Sequence, residues 1–220
     1  VLFGTLATGR ADERTDRVDR LFARWDTSTT PGCALGVIQD GNLIYEKGYG
    51  LAELEQNVRI GPDTVFHIAS TSKQFTAFAI LLLEKEGKLS LDDDVRKHLP
   101  ELHDFGKTIT IRHLLNHTSG LRDQWELVSL AGWRIEDVIT DDDIFRLVCR
   151  QRQLNFNPGD EYLYCNTGYT LAALIVERAS GRPFREFTKE RIFDPLEMSQ
   201  TRFPADHQAV IPHRARSYDY

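Results

Sequence analysis

Phe66-His67-Ile68-Ala69-Ser70-Thr71-Ser72-Lys73-Gln74-Phe75 is the stretch on which the fold turns. It opens as an extended apolar segment and runs into a helical pattern, residues 73–86, that is apolar nearly all round through Phe75, Phe78, Ile80, Leu81, Leu82 and Leu83, with Gly87 as its stop. A helix with no polar face belongs in the middle of a domain. Ser70 stands where extended chain becomes helix, and Lys73 lies one turn later on the same face. A lysine in a first helical turn opposes the positive end of the macrodipole, where local rules place an acid. Burial and that dipole both disfavour the ammonium form, so the sequence predicts a lowered pKa and an amine able to take the Ser70 proton. The Ser70 N–H, in a first turn without an intrahelical acceptor, is placed to stabilise an oxyanion. Alone, Ser-x-x-Lys is a weak signal, because the same residues also read as a capping serine and a lysine snorkelling to water.

N-terminal to this stretch, Val18, Leu21, Phe22 and Trp25 recur at helical spacing among charges and predict an amphipathic helix over about residues 12–25. Residues 34–39 and 43–49 flank Asp40-Gly41, a hairpin signal because both central turn positions require positive φ. Thr64-Val65-Phe66 reads as a short third extended piece. Residues 1–9 read either as the tail of a signal peptide, with Ala7-Thr8-Gly9 as a small-x-small cleavage site, or as a frayed terminus. Residues 1–12 are accordingly set apart from a domain spanning 13–220.

C-terminal to it the chain reads as helices. Thr110 caps a short one through Ile111, Leu114 and Leu115, closed by Gly120; Asp141-Asp142-Asp143 opens another through Ile144, Leu147 and Val148. Leu171, Leu174, Ile175 and Ala179 mark a helix ending at Gly181, and residues 184–193 a further one, giving a helical subdomain from about residue 90. One hairpin and a third extended piece carry all the β-structure, and two strands alone are marginal, so either the helices cover a very small sheet or further strands are expected beyond this sequence.

Tyr164-Cys165-Asn166, after the Pro158-Gly159 turn, is the second chemical candidate. A phenol close to an ammonium titrates below its ordinary value of about 10 and can carry a proton to a leaving group or from water. Asn166 offers an amide able to hold Lys73 and to bind a substrate carbonyl. The same residues also read as a core tyrosine and a helix-capping asparagine.

Taken together, these residues resemble the serine β-lactamase and penicillin-binding-protein superfamily, in its Tyr-x-Asn branch of class C β-lactamases, D-Ala-D-Ala carboxypeptidases and related esterases. The likeness runs from about Arg17 to the end. It includes Pro31-Gly32, Phe66-His67-Ile68-Ala69-Ser70, residues 114–121 (Leu-Leu-Asn-His-Thr-Ser-Gly-Leu), Asn157-Pro158-Gly159 and Pro195-Leu196-Glu197-Met198 followed by Thr201. The resemblance implies an α/β (α+β) fold, an antiparallel sheet with helices plus a helical subdomain. It also implies Ser70 as acylated nucleophile, Lys73 as its activating partner, Tyr164 as general acid/base and Asn166 as orienting and substrate-binding residue. The implied activity is hydrolysis of an amide or ester (β-lactam, D-amino-acid peptide or carboxylic ester) through an acyl-enzyme, without metal or cofactor. The rival reading is a non-catalytic sensor or scaffold of penicillin-binding-protein type. Cys165 stands where relatives carry Ser or Ala, and Asp94 where many carry Pro. The family's third motif, Lys-Thr-Gly or His-x-Gly on a later strand, is not found. In relatives that strand supplies the second oxyanion donor, and one lost donor costs about 10²–10³ in rate, so this stretch alone is expected to be inactive.

Composition narrows the remaining classes. The 220 residues carry 27 Lys plus Arg against 33 Asp plus Glu, a net charge of −6, which argues against a nucleic-acid-binding stripe or a polybasic membrane anchor. The longest strongly apolar run, residues 77–83, is too short to span a bilayer. Cys33, Cys149 and Cys165 lack CxxC spacing; three free thiols, or one disulfide and a thiol, both fit. His113 and His117 stand four apart on a helix without a third ligand, and the two Asp triplets lack the glycine and glutamate of a calcium loop, so no metal is expected. Trp125 and Trp133 either border a substrate pocket or pack in the core. Partners are expected to be a small-molecule or peptide substrate, and the compartment, by the resemblance and the signal-like start, periplasmic or secreted.

Overall fold

The computed structural model describes residues 13–134, 136–204 and 208–218; the expected signal-like segment lies outside them. The chain divides into two compact units, one comprising the residues up to Ile68 together with those from Val210 onward, the other Ala69–Ala209.

The first unit holds α1 (Glu13–Phe22), which continues as a 3₁₀ turn to Trp25, and the hairpin β1 (Cys33–Gln39) and β2 (Asn42–Tyr49). The turn is formed by Asp40 and Gly41, both at positive φ (50° and 77°), as the Asp-Gly pair requires. The amphipathic α1 is anchored to the hairpin by its one inward acid. The Asp19 carboxylate accepts from Tyr45 Oη (2.6 Å) and Tyr49 Oη (2.8 Å) and pairs with Lys47 (2.9 Å), while Phe22 stacks on Tyr49. A second two-stranded sheet, β3 (Leu51–Glu53) with β4 (Val58–Arg59), was not foreseen. Strands of three and two residues are too short to show a periodicity. The third extended piece expected at 64–66 is reduced to a single parallel bridge, Val65 with Arg214.

The second unit is helical. α2 (Lys73–Lys85), α3 (Ile111–Leu115), α4 (Gln124–Leu130), α5 (Asp141–Cys149), α6 (Asn166–Ser180) and α7 (Phe184–Thr188) surround one apolar core. α6 lies at its centre, with Leu171, Ala172, Ile175 and Val176 buried against Ala79, Ile80 and Leu83 of α2. α3 crosses α6 so closely at Gly168 that a Cβ there would stand 2.9 Å from the Leu114 carbonyl oxygen. Gly181, in the left-handed region, ends α6 as expected.

Three expectations change. α2 is not buried all round: Phe78 and Leu81 are 43% and 46% exposed, because α6 and α7 pack on one side of it. α3 ends at Leu115 rather than Gly120, since His117 turns left-handed (φ 58°) and starts an irregular segment. The helix expected over 184–193 widens after Thr188 into a π turn, residues 189–193. α4 was not anticipated either, its seven residues mixing Trp, Leu and Val with Gln, Glu and Ser.

Candidate active site

Ser70 sits in a 3₁₀ turn, Ala69–Ser72, immediately before α2. Ala69 is left-handed (φ 45°), a conformation that costs a non-glycine residue energy and is held here by the structure around it. Ser70 does not cap α2. Its exposed hydroxyl instead lies 3.0 Å from Lys73 Nζ and 2.6 Å from Tyr164 Oη. Lys73 Nζ donates in turn to Asn166 Oδ1 at 2.9 Å, so the half-buried lysine points along the protein surface at Ser70 and does not snorkel away. Its nitrogen also stands 4.9 Å from the centre of the Tyr164 ring and 5.5 Å from that of Tyr169. All four residues singled out by sequence therefore meet in one place, although Ser70 and Tyr164 stand 94 residues apart in the chain.

Tyr164 is 43% exposed, so it is no core tyrosine, and Asn166 is the first residue of α6, where its side chain turns toward Lys73. Cys165 between them is extended (φ −143°, ψ 115°) and buried, which sends the two flanking side chains to the opposite face. The Lys73 ammonium, and next the Ser70 hydroxyl, hold the Tyr164 phenol below the ordinary value; burial and the Asp123 carboxylate push it partway back.

The partners that hold Tyr164-Cys165-Asn166 in place come from residues 117–123, to which sequence reasoning assigned no function. The His117 carbonyl accepts from Leu163 N–H (3.0 Å) and its Nδ1 from Cys165 N–H (3.1 Å). The Leu121 carbonyl accepts from Cys165 Sγ–H (3.4 Å) and that of Arg122 from Thr167 Oγ1–H (2.8 Å). Asp123 Oδ2 accepts from both the backbone N–H (2.5 Å) and the side-chain Nδ2–H (2.9 Å) of Asn166, while its Oδ1 caps α4 by accepting from Trp125 N–H (2.9 Å). The same segment is seated from below: Asn155 N–H donates to Gly120 O and Gly159 N–H to Thr118 O, and a Cβ on Gly120 would stand 2.1 Å from the Phe156 carbonyl oxygen. The one advance signal for Asp123 was its position, an acid directly before the Trp125 to Val128 spacing, which reads as an ordinary N-cap.

His117 packs 4.5 Å from the Tyr164 ring, between it and Tyr169, and burial depresses its pKa. Because Nδ1 accepts a backbone N–H, its proton resides on Nε2. His113 likewise accepts through Nδ1, from Thr110 N–H, completing the cap of α3. Trp125 and Trp133 are both exposed. Cys33, Cys149 and Cys165 are all free thiols. Among the described residues no helix is long and apolar enough to cross a membrane.

Against this geometry stand the comparisons with known proteins. The family model described as Beta-lactamase matches residues 18–220. The chain belongs to the Beta-lactamase family. Among curated relatives of this β-lactamase-family chain, penicillin-binding protein 4* of Bacillus subtilis (strain 168) is 37% identical over 183 residues, 83% of this chain and 40% of that protein. A D-aminopeptidase of Gluconobacter oxydans (strain 621H) is 34% identical over 180 residues, 82% of this chain and 34% of that protein. The chain thus spans about two fifths or less of these relatives' length. Among solved structures, a penicillin binding protein from Bacillus halodurans superposes with a TM-score of 0.75 at 28% identity, covering 90% of this chain and 59% of that one. A D-amino acid amidase from Ochrobactrum anthropi SV3, complexed with L-phenylalanine amide, gives 0.70 at 30% identity, with 84% and 51% covered. The mixed α/β fold is the β-lactamase and penicillin-binding-protein fold.

Proposed function

We propose that the protein is a serine hydrolase that cleaves an amide or ester through an acyl-enzyme on Ser70. The observation that carries this reading is one hydroxyl, exposed, within hydrogen-bond reach of both a lysine nitrogen and a phenol whose pKa is depressed.

Ser70 Oγ attacks the substrate carbonyl carbon, and its proton passes to Tyr164 Oη, 2.6 Å away. Lys73, donating to Ser70 Oγ, stabilises the negative charge that grows there and holds the phenol below its ordinary value, which eases proton exchange. The carbonyl oxygen takes the charge of the tetrahedral intermediate and is met by the Ser70 N–H in the first turn. As the intermediate collapses, the bond from carbonyl carbon to the leaving nitrogen or oxygen breaks, and Tyr164 returns its proton to the departing atom. Water then repeats the sequence on the acyl-enzyme, its proton going to Tyr164 and thence to Ser70 Oγ, which leaves. Atoms balance without metal or cofactor. Asn166 steadies Lys73 through Oδ1.

The substrate class proposed is the shared one, an acyl group on nitrogen or oxygen: β-lactam, D-amino-acid peptide or amide, or carboxylic ester. The names of the D-aminopeptidase and D-amino acid amidase relatives favour D-configured amides among these. The test uses the full-length protein with a chromogenic cephalosporin, a D-amino-acid amide and an activated ester, comparing wild type with Ser70→Ala. Turnover of at least one substrate by wild type and none by the variant is expected. Equal rates overturn the reading, and slow labelling of Ser70 without turnover makes the protein a sensor.

A further inference from the structure

We propose that Asp123 is a positioning residue for this reaction, fixing the Asn166 amide so that its oxygen, not its nitrogen, faces Lys73. The proposal rests on the serine-hydrolase reading and extends it to a residue outside the two motifs.

A carboxamide has nearly the same shape with oxygen and nitrogen exchanged, so position alone does not tell it which way to face. Here the choice matters. With Oδ1 toward Lys73, the amide accepts from Nζ; reversed, two donors would confront each other. Asp123 settles the orientation from the far side. Its Oδ2 accepts from Asn166 Nδ2–H, so a flipped amide would set oxygen against carboxylate as well as nitrogen against ammonium. The same oxygen takes the Asn166 backbone N–H, so main chain and side chain of one residue are gripped by a single charged atom. That double grip leaves the Asn166 side chain little torsional freedom.

The intervening amide also sets where the lysine's protons go. A carboxylate in direct contact with Lys73 would form an ion pair and draw Nζ off Ser70. Placed one amide further out, Asp123 polarises Asn166 Oδ1 toward the ammonium, yet leaves Nζ a proton directed at Ser70 Oγ. The result is an unbroken line of contacts from Asp123 through Asn166, Lys73 and Ser70 to Tyr164.

Asp123 also caps α4 through Trp125 N–H, so the test must separate the two roles. Asp123→Ser does so, because a serine still caps a helix well but cannot reach both Asn166 donors. In the full-length protein, Ser70-dependent release of nitrophenolate from p-nitrophenyl acetate is compared among wild type, Asp123→Ser, Asn166→Ala and the double variant, with Ser70→Ala as the blank. Asp123→Ser is expected to lower kcat about 10–100-fold, the scale of a small misplacement, with KM within about threefold. Since the effect passes through Asn166, the double variant is expected to be no slower than Asn166→Ala alone. A rate for Asp123→Ser within threefold of wild type overturns the proposal, as does a double variant whose loss is the product of the two single losses. If Asp123→Ser does not fold, Asp123→Thr, which also caps a helix and also cannot reach both Asn166 donors, takes its place under the same criteria. Absence of Ser70-dependent turnover by wild type on p-nitrophenyl acetate, the cephalosporin and the D-amino-acid amide alike overturns the serine-hydrolase reading itself, and this proposal with it. Wild-type release matched by Asp123→Ser overturns the Asp123 proposal alone.

Discussion

Two places in this molecule are built from the same ingredients, a lysine, tyrosines and an aspartate, and they come out with opposite chemistry. In the hairpin unit, Tyr45 and Tyr49 donate to the Asp19 carboxylate, and Lys47 pairs with that same carboxylate. Burial and the adjacent negative charge push both phenols up, so they are locked as donors. At the candidate site, Tyr164 faces an ammonium and a hydroxyl, and the Asp123 carboxylate is spent on Asn166. Its phenol goes down. The difference lies in which charge the phenolic oxygen meets. A phenol against a carboxylate is a fastener, and a phenol against a lysine can exchange a proton.

The largest effect expected from this contrast is on rate. Tyr164→Phe in the full-length protein should lower Ser70-dependent turnover about 10²–10⁴-fold, the scale of a lost general acid/base, while leaving the thermal midpoint nearly unchanged. Tyr49→Phe should do the reverse, with turnover retained and stability reduced by about 1–2 kcal/mol in a denaturant titration. A Tyr49 variant that loses activity without losing stability would break the comparison.

The contrast can be sharpened by titration. Ultraviolet difference absorbance, wild type minus Tyr164→Phe, should show phenolate forming below the ordinary range of about 10, whereas the signal missing in Tyr49→Phe should appear only above it. In the proposed mechanism the deprotonated phenol accepts the Ser70 proton, so acylation should rise with pH along a limb set by the same depressed value.

The smallest effect concerns Asp19. Its carboxyl is held at about 2 against an ordinary 3.8, chiefly by the Tyr45 hydroxyl and then Lys47. A depressed acid contributes stability that is fully present above its unfolded value and lost as pH falls through the folded one. Asp19→Asn should therefore melt lower than wild type at neutral pH. The gap should close between pH 4 and pH 2, where the wild type loses the contribution too. A gap constant down to pH 2 would assign the stabilisation to packing of α1 instead.

What the sequence disclosed follows the range of each interaction. Ser70 and Lys73 are one helical turn apart, and Asp40-Gly41 carries its own turn geometry, so both were legible locally. Tyr164 and Asn166 became candidates for the same site through motif order, since nothing in their own neighbourhood states that Ser70 lies beside them. Asp123 escaped because its partner is 43 residues away and its local role as a cap for α4 is sufficient to explain an aspartate there. The exposure of Phe78 and Leu81 was equally hidden, for an apolar pattern specifies what a helix could bury and not which faces find a neighbour. β3 and β4 fall below the length at which alternation can be seen.

Cys165 gives the Tyr-x-Asn spacing its meaning. An extended tripeptide is a small seesaw with its middle side chain sunk in the protein and both ends lifted on the outer face; here the fulcrum is a thiol fastened to the Leu121 carbonyl. Anything bulkier or oxidised at that pivot is expected to tip the Tyr164 phenol and the Asn166 amide together. One buried side chain thereby sets the direction of the two that flank it.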